Sequence, residues 1–300
     1  MVRKAAIFLI FSVFSFQPIL AAGQVWQAQN SGISDIDIRS VSVFSGDDNF
    51  ICAAGKKCLY FSQNRGEFWE EIFSLKPEAG EINFVTFDCS APETLYLATT
   101  EGLFTTKSQG KAWQRIFRRV SEEAKDVGWI ALDCQDLRKI YIGTKEGLYF
   151  SQDKGASWSK LRGGLPRSEV RSIAVHPSNS QVLYLANTYG LFKSIDSGRT
   201  WERIYVTSYK VADEENEENE EESLQMNENQ NLINCIAVDK GNPRKIFIAT
   251  GEGVFVSPDA GETWNKLPTQ GLSSDYVNFI VVSDKKDAVY AATKNGVFEF

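Results

Sequence analysis

Short apolar runs, each broken by a glycine turn, recur along the chain. Leu95-Tyr96-Leu97-Ala98 is followed by Gly102-Leu103-Phe104, and Ile140-Tyr141-Ile142-Gly143 by Gly147-Leu148-Tyr149. The pair returns at Leu183-Tyr184 with Gly190-Leu191-Phe192, at Ile246-Phe247 with Gly253-Val254-Phe255, and at Val289-Tyr290 with Gly296-Val297-Phe298. In the first copy Cys58 stands where the others have glycine, ahead of Leu59-Tyr60. Runs this short, rich in β-branched and aromatic residues and parted by tight turns, predict β-hairpins. A further strand precedes each hairpin, as in Val170-Arg171-Ser172-Ile173-Ala174-Val175 and Ile233-Asn234-Cys235-Ile236-Ala237-Val238.

Tryptophan sets the period. Trp26, Trp69, Trp113, Trp158, Trp201 and Trp264 lie 43, 44, 45, 43 and 63 residues apart, and only Trp129 falls outside the series. Each tryptophan after the first closes a turn motif such as Ser151-Gln152-Asp153-Lys154-Gly155-Ala156-Ser157-Trp158, repeated around Asp196, Gly198 and Trp201 and around Asp259, Gly261 and Trp264. Two weaker copies end at Trp69, with Asn64 and Gly66, and at Trp113, with Ser108 and Gly110. The Asp or Asn oxygen is expected to accept N–H bonds from two or three residues on, and the glycine to take a positive φ. The tryptophan should then lay its ring on the neighbouring sheet. With the strand that carries the tryptophan, a unit is four strands in about 44 residues, the size of a propeller blade. The last hairpin has no turn motif after it, and the first tryptophan has no hairpin before it. Strand 24–27 is therefore predicted to complete the last blade and remove the exposed edges. The expected fold is all-β: one six-bladed β-propeller over residues 24–300, its ring closed by the N-terminal strand. An open solenoid is the alternative and would leave both end fragments unpaired.

The motif Ser-x-Asp-x-Gly-x-x-Trp resembles the Asp-box, or bacterial neuraminidase repeat, found in sialidases, sortilin-type receptors, xyloglucanase-type glycosidases and photosystem II stability/assembly factor-like proteins. The resemblance covers essentially all of residues 24–300 through five boxes. It implies the fold far more than the function, because the box is structural and recurs in unrelated activities. One domain of uniform repeats looks most like the assembly-factor-like group, which implies a binding or assembly role. Two departures count against the enzymes. The Arg-Ile-Pro motif of sialidases is absent, Phe117-Arg118-Arg119-Val120 being a poor match, and the paired aspartates of xyloglucanase-type enzymes need two propellers.

The remaining composition narrows the partners. Arg3 and Lys4, the apolar residues 5–16 and the small-residue patch Ala21-Ala22-Gly23 have the layout of a secretory signal peptide over residues 1–23. The apolar stretch is too short to span a bilayer comfortably, so no stable membrane span is expected after cleavage, and the protein is expected to be secreted or periplasmic. An uncleaved anchor is the alternative. Thirty-two cations against 39 acids argue against a nucleic-acid binder. Eight of those acids crowd residues 213–222 in the long gap between Trp201 and Trp264. Such a run cannot bury a core, so 205–230 is expected to be a disordered inter-blade insertion, either a tolerated solvated loop or a lure for a basic partner or loosely held calcium. A single histidine, His176, excludes His-rich metal sites and is expected in a solvated turn. No metal or other cofactor is indicated. The five cysteines contain no CxxC pair. Cys89 and Cys134, equivalent positions one blade apart, are expected to be too distant to bridge, leaving Cys52 and Cys58 as the one plausible disulfide and buried thiols as the alternative.

Candidate ligand residues come from register. On the face shared by the blade connections and middle hairpin loops, the start of the innermost strand reads Arg39, Asn83, Gly128, Arg171, Asn234 and Asn278. The residues are either a solvated rim or a site in which Arg39 and Arg171 hold an anionic group. Trp129 is read as core of the third inner strand, with a stacking platform at the channel mouth as its alternative; Tyr189 is a similar exposed-aromatic candidate. Asp35, Asp37, Glu81, Glu169 and Asp275 precede inner strands on this face, but acid–base glycoside chemistry needs a set separation and one raised pKa, and no catalytic set is assigned. The function expected is an exported, non-enzymatic scaffold that binds a protein through its loop face. The alternative is a carbohydrate-active protein, either a sialidase-like or other glycosidase or a lectin-like glycan binder.

Overall fold

The computed structural model describes residues 27–35, 37–76, 80–205, 232–272, 274–283 and 288–300. The proposed leader, Trp26, and nearly all of the acidic insertion lie outside the described residues. The described chain forms six four-stranded antiparallel sheets. Blade I holds Ile38–Val43, Ile51–Gly55, Cys58–Ser62 and Glu70–Ser74. Blade II holds Ile82–Phe87, Leu95–Thr99, Gly102–Thr106 and Gln114–Phe117, and blade III Val127–Leu132, Ile140–Thr144, Gly147–Ser151 and Ser159–Leu161. Blade IV runs from Val170–Val175 to Glu202–Tyr205, and blade V from Ile233–Val238 to Asn265–Lys266. Blade VI takes Val277–Val282, Val289–Thr293 and Gly296–Glu299 from the end of the chain and Gln27–Ala28 from its beginning.

That last sheet closes the ring. Gln27 pairs with Glu299 and Ala28 with Phe298, and the Gln29 N–H donates to the Val297 carbonyl at 2.9 Å. The Val297 N–H in turn donates to the Asn30 side-chain oxygen. Blade I grips the same segment, since Trp69 donates its indole N–H to Gln29 O and its main-chain N–H to Ser31 O. The second strand of every blade is buried along its whole length, so the sheets stack face to face around the axis on Ile, Leu, Val, Ala and Tyr.

The Asp-box turns differ in detail from the sequence expectation. The serine takes the short-range role: Ser151 Oγ accepts from the N–H groups of Asp153 and Gly155. Asp153 reaches four residues on, accepting from the Ser157 N–H at 2.8 Å and its hydroxyl. The pattern repeats at Asp196 with Thr200 and at Asp259 with Thr263. The residue before each box glycine is left-handed too (φ 62° at Arg65, 60° at Lys154, 61° at Ser197), so two consecutive residues turn the chain. Each box is pinned to the inner turn of its own blade, as where the Lys154 N–H donates to Arg138 O and the Ser197 N–H to Gln181 O.

The disulfide assignment is a correction. Cys89 and Cys134 are bridged, their Cα atoms 5.4 Å apart, while Cys52 and Cys58 are free thiols. Blades are wedges: equivalent positions at the ends of innermost strands converge near the axis, where one blade width falls within disulfide reach. In blade I the hairpin register sets Cys52 opposite Phe61 and Ala54 opposite Leu59. Cys58 is therefore three rungs from Cys52, about 10 Å along the ladder.

Candidate functional site

Every innermost strand carries a β-bulge at the same place. The register slips between Ile38 and Ser40, Ile82 and Phe84, Val127 and Trp129, Val170 and Ser172, Ile233 and Cys235, and Val277 and Phe279. The extra residue is in each case the column picked out by sequence register: Arg39, Asn83, Gly128, Arg171, Asn234 and Asn278. A bulge frees a residue from its ladder and re-aims its side chain. Here it points to the next blade. Arg39 donates to Ile82 O (3.0 Å), Asn83 to Val127 O (2.9 Å), Asn234 to Val277 O (2.9 Å) and Asn278 to Ile38 O (2.8 Å). Arg171 donates to the Asn234 side chain at 2.8 Å. The result is a belt of side-chain bonds between sheets that share no ladder, and its Asn278–Ile38 rung joins the last blade to the first. Gly128 has no side chain to give, so the bulge column offers no rung from blade III to blade IV, and the neighbouring Trp129 bonds across instead, to Ile173 O.

The belt surrounds a depression of about 380 Å³ at the loop-face mouth of the channel. Its floor is Trp129, 6% exposed, whose indole N–H donates to Ile173 O at 2.8 Å. The ring centroid of Trp129 lies 4.5 Å from that of Phe84 and 5.2 Å from that of Phe279, and Phe84 and Phe279 are themselves 5.2 Å apart. Three aromatics from blades II, III and VI therefore plug the channel. Below them a cavity of about 210 Å³, lined mainly by Val, Ile, Ala and Phe, ends at Cys89 and Cys134. Trp129 is thus core and floor at once: its faces are spent on Phe84 and Phe279, which leaves little ring to stack on a ligand.

The walls are charged in compensating pairs. Glu81 binds Arg39 and Lys56, each at 2.8 Å, and Lys145 binds Asp126 at 2.8 Å. Arg171 Nη1 stands 3.9 Å from Glu169. Lys56 first, and then Arg39, hold the Glu81 carboxyl below its ordinary range, the opposite of what a general acid needs. The two arginines are not equivalent. Arg39 is engaged by Glu81, Asn83 and a carbonyl. Arg171 keeps a buried Nε with no hydrogen-bond acceptor and lies beside the gap at Gly128. Asp126 and Lys145 belong to the lining and escaped the sequence reading; both flank the third inner strand and its hairpin turn, where repeat register would have found them. Asp35, Asp37 and Asp275 do not line the depression. Asp37 instead donates its N–H to the Asp35 carboxylate in a local turn. Tyr189 is exposed on a hairpin turn outside it. His176 sits in the turn after the fourth inner strand, accepting the Ser178 N–H at Nδ1, with burial and then Lys193 lowering its pKa. Among the described residues, no three His, Cys, Asp or Glu side chains converge as a metal-ligand group.

No family model matches the chain, and no curated protein is similar to it in sequence. Solved structures share the fold at low identity. The GH74 enzyme of Niastella koreensis is 16% identical with a TM-score of 0.60; the match covers 91% of this chain but 46% of the enzyme. The extracellular domain of the putative one-component system BT4673 from B. thetaiotaomicron is 15% identical with a TM-score of 0.61, over 92% of this chain and 40% of that one. The chain thus spans less than half the length of these two proteins. YCF48 bound to D1 peptide is 14% identical with a TM-score of 0.53, and there the match covers 92% of this chain and 96% of the other. At these identities the likeness establishes the six-bladed propeller and no activity.

Proposed function

We propose that the protein is an exported, non-enzymatic propeller that binds a partner protein at the loop-face depression, with Arg171 receiving an acidic side chain or a chain-terminal carboxylate. The observation that carries this reading is the Arg171 guanidinium, part-exposed in the depression beside the gap at Gly128, bonded to the Asn234 amide oxygen and standing 3.9 Å from the Glu169 carboxylate. A rigid rim presents it, and a planar fork of donors suits a carboxylate. The pinned state of Glu81 favours binding over acid–base chemistry. The near full-length likeness to YCF48, a structure with a bound peptide, supports a protein ligand, whereas the GH74 likeness covers half an enzyme. The Cys89–Cys134 bridge suits an oxidising compartment and supports export.

The test is affinity capture from the source envelope with the wild type, Arg171→Gln and Arg171→Lys, each verified by its melting curve. A partner held by the wild type, held more weakly by Lys and lost with Gln is the expected result. Equal capture by all three, or no reproducible partner, overturns the site. A glycan array and a fluorogenic glycoside screen run in parallel; binding or turnover there would favour the carbohydrate reading instead.

A further inference from the structure

A further cavity, of about 500 Å³, opens on the flank between blades I and II, toward the loop face. Phe73, Phe104 and Trp113 line it, with Leu75, Glu101 and Arg115 at its edges. Phe73 and Trp113 are in ring contact at 5.4 Å, and the Arg115 guanidinium lies 5.1 Å above Phe104.

The molecule contains a filled copy of this groove. One repeat later, between blades II and III, Phe117, Tyr149 and Trp158 take the places of Phe73, Phe104 and Trp113, Glu146 that of Glu101 and Lys160 that of Arg115. Phe117 and Trp158 are in contact at 5.2 Å, and Lys160 lies 5.7 Å above Tyr149, so the two grooves share their frame. They differ in what stands over the rings and in which cation the edge carboxylate pairs with. Where blade I has Leu75, blade II has Arg119, whose guanidinium lies 5.0 Å from the Phe117 ring and 5.3 Å from the Tyr149 ring. A guanidinium over two aromatic faces is a favourable fit. It is accommodated there although Lys160 is already present, because Glu146 sits at the same edge and pairs with Lys160. In the open groove Glu101 occupies that edge, bridged to Lys125 at 3.0 Å.

We infer that the groove between blades I and II is a docking pocket for an arginine side chain of a partner protein, which supplies in trans the guanidinium that Arg119 supplies in cis one blade later. The pocket is separate from the channel-mouth depression and does not depend on the role of Arg171.

The experiment titrates acetyl-arginine-amide and acetyl-citrulline-amide, its uncharged isostere, into the whole protein while following the indole N–H signals of Trp113 and Trp158 by NMR, with assignments from Trp→Phe variants. The arginine amide should shift the Trp113 signal saturably, with a midpoint on the order of tens of millimolar, the range a single cation–π contact allows, and the citrulline amide at least tenfold more weakly. Leu75→Arg, which copies Arg119, should abolish the response while melting no lower than the wild type. Arg119→Leu, which empties the filled groove, should add a second saturable response at Trp158. Equal responses to the two amides, silence at Trp113, or an unchanged response in Leu75→Arg would overturn the inference. Should Leu75→Arg fail to fold, the Arg119→Leu arm decides, and absence of a new site at Trp158 is the adverse result.

Discussion

Trp129 is the residue on which the channel plug turns. Replacing it with alanine removes a nearly fully buried ring, its contacts with Phe84 and Phe279, and the bond to Ile173 O. Neighbours cannot collapse into the space, because Phe84 and Phe279 belong to different blades whose positions are set by the ring. Cavities already lie above and below, so the change joins them into a passage. Large-to-small changes at such sites cost about 3–5 kcal/mol, and in a domain of roughly this size each kcal/mol moves the melting temperature by about 2–4 °C. Trp129→Ala should therefore melt roughly 6–20 °C below the wild type. Trp129→Phe keeps a ring in the plug and loses the indole bond and part of the ring volume, a loss of about 1–3 kcal/mol. Differential scanning calorimetry of the three proteins at one pH reads both differences. An alanine variant within about 2 °C of the wild type, or a phenylalanine variant as unstable as alanine, would refute the role of the ring as a packed plug.

Three further outcomes are expected. Removing the disulfide with Cys89→Ser/Cys134→Ser, or reducing it, should lower stability by about 4 kcal/mol on the loop-entropy estimate for a sequence separation of 45, read as a drop in the urea midpoint that dithiothreitol does not deepen in the double variant. Gly128→Asn places an amide where a Cβ would have its nearest neighbour, Val170 O, at 3.9 Å. Restoring the rung should stabilise the ring by about 0.5–1.5 kcal/mol, and the belt is misread if the variant melts below the wild type. Hydrogen bonds from Thr200 and Thr263 lower the carboxyls of Asp196 and Asp259 from 3.8 to about 2. A depressed folded-state pKa means stability that is present above the unfolded value and lost as pH falls from about 4 toward 2. Asp196→Asn with Asp259→Asn should flatten the acid limb of a melting-temperature profile over that window, and an unaltered limb would show that the boxes do not carry it.

Local features legible along the chain determined the architecture. The tryptophan period, the Gly-broken hairpins and the unmatched end fragments depend on neighbours within one repeat, and they specified six blades and the closing strand before any contact was known. The innermost column was legible too, since repetition aligns equivalent positions. What register cannot show is direction and distance between repeats. The five bulges that turn Arg39, Asn83, Arg171, Asn234 and Asn278 onto the following blade arise where strands converge on an axis. The Cys89–Cys134 bridge depends on the same convergence, which one-dimensional spacing hides. The placing of Trp129 between Phe84 and Phe279 requires three blades at once. Sequence set each blade, because a blade is stabilised largely within itself. Tertiary structure alone decided the channel, its plug and the uneven fates of two arginines in one column, because those arise from packing like units around a centre that no single unit contains.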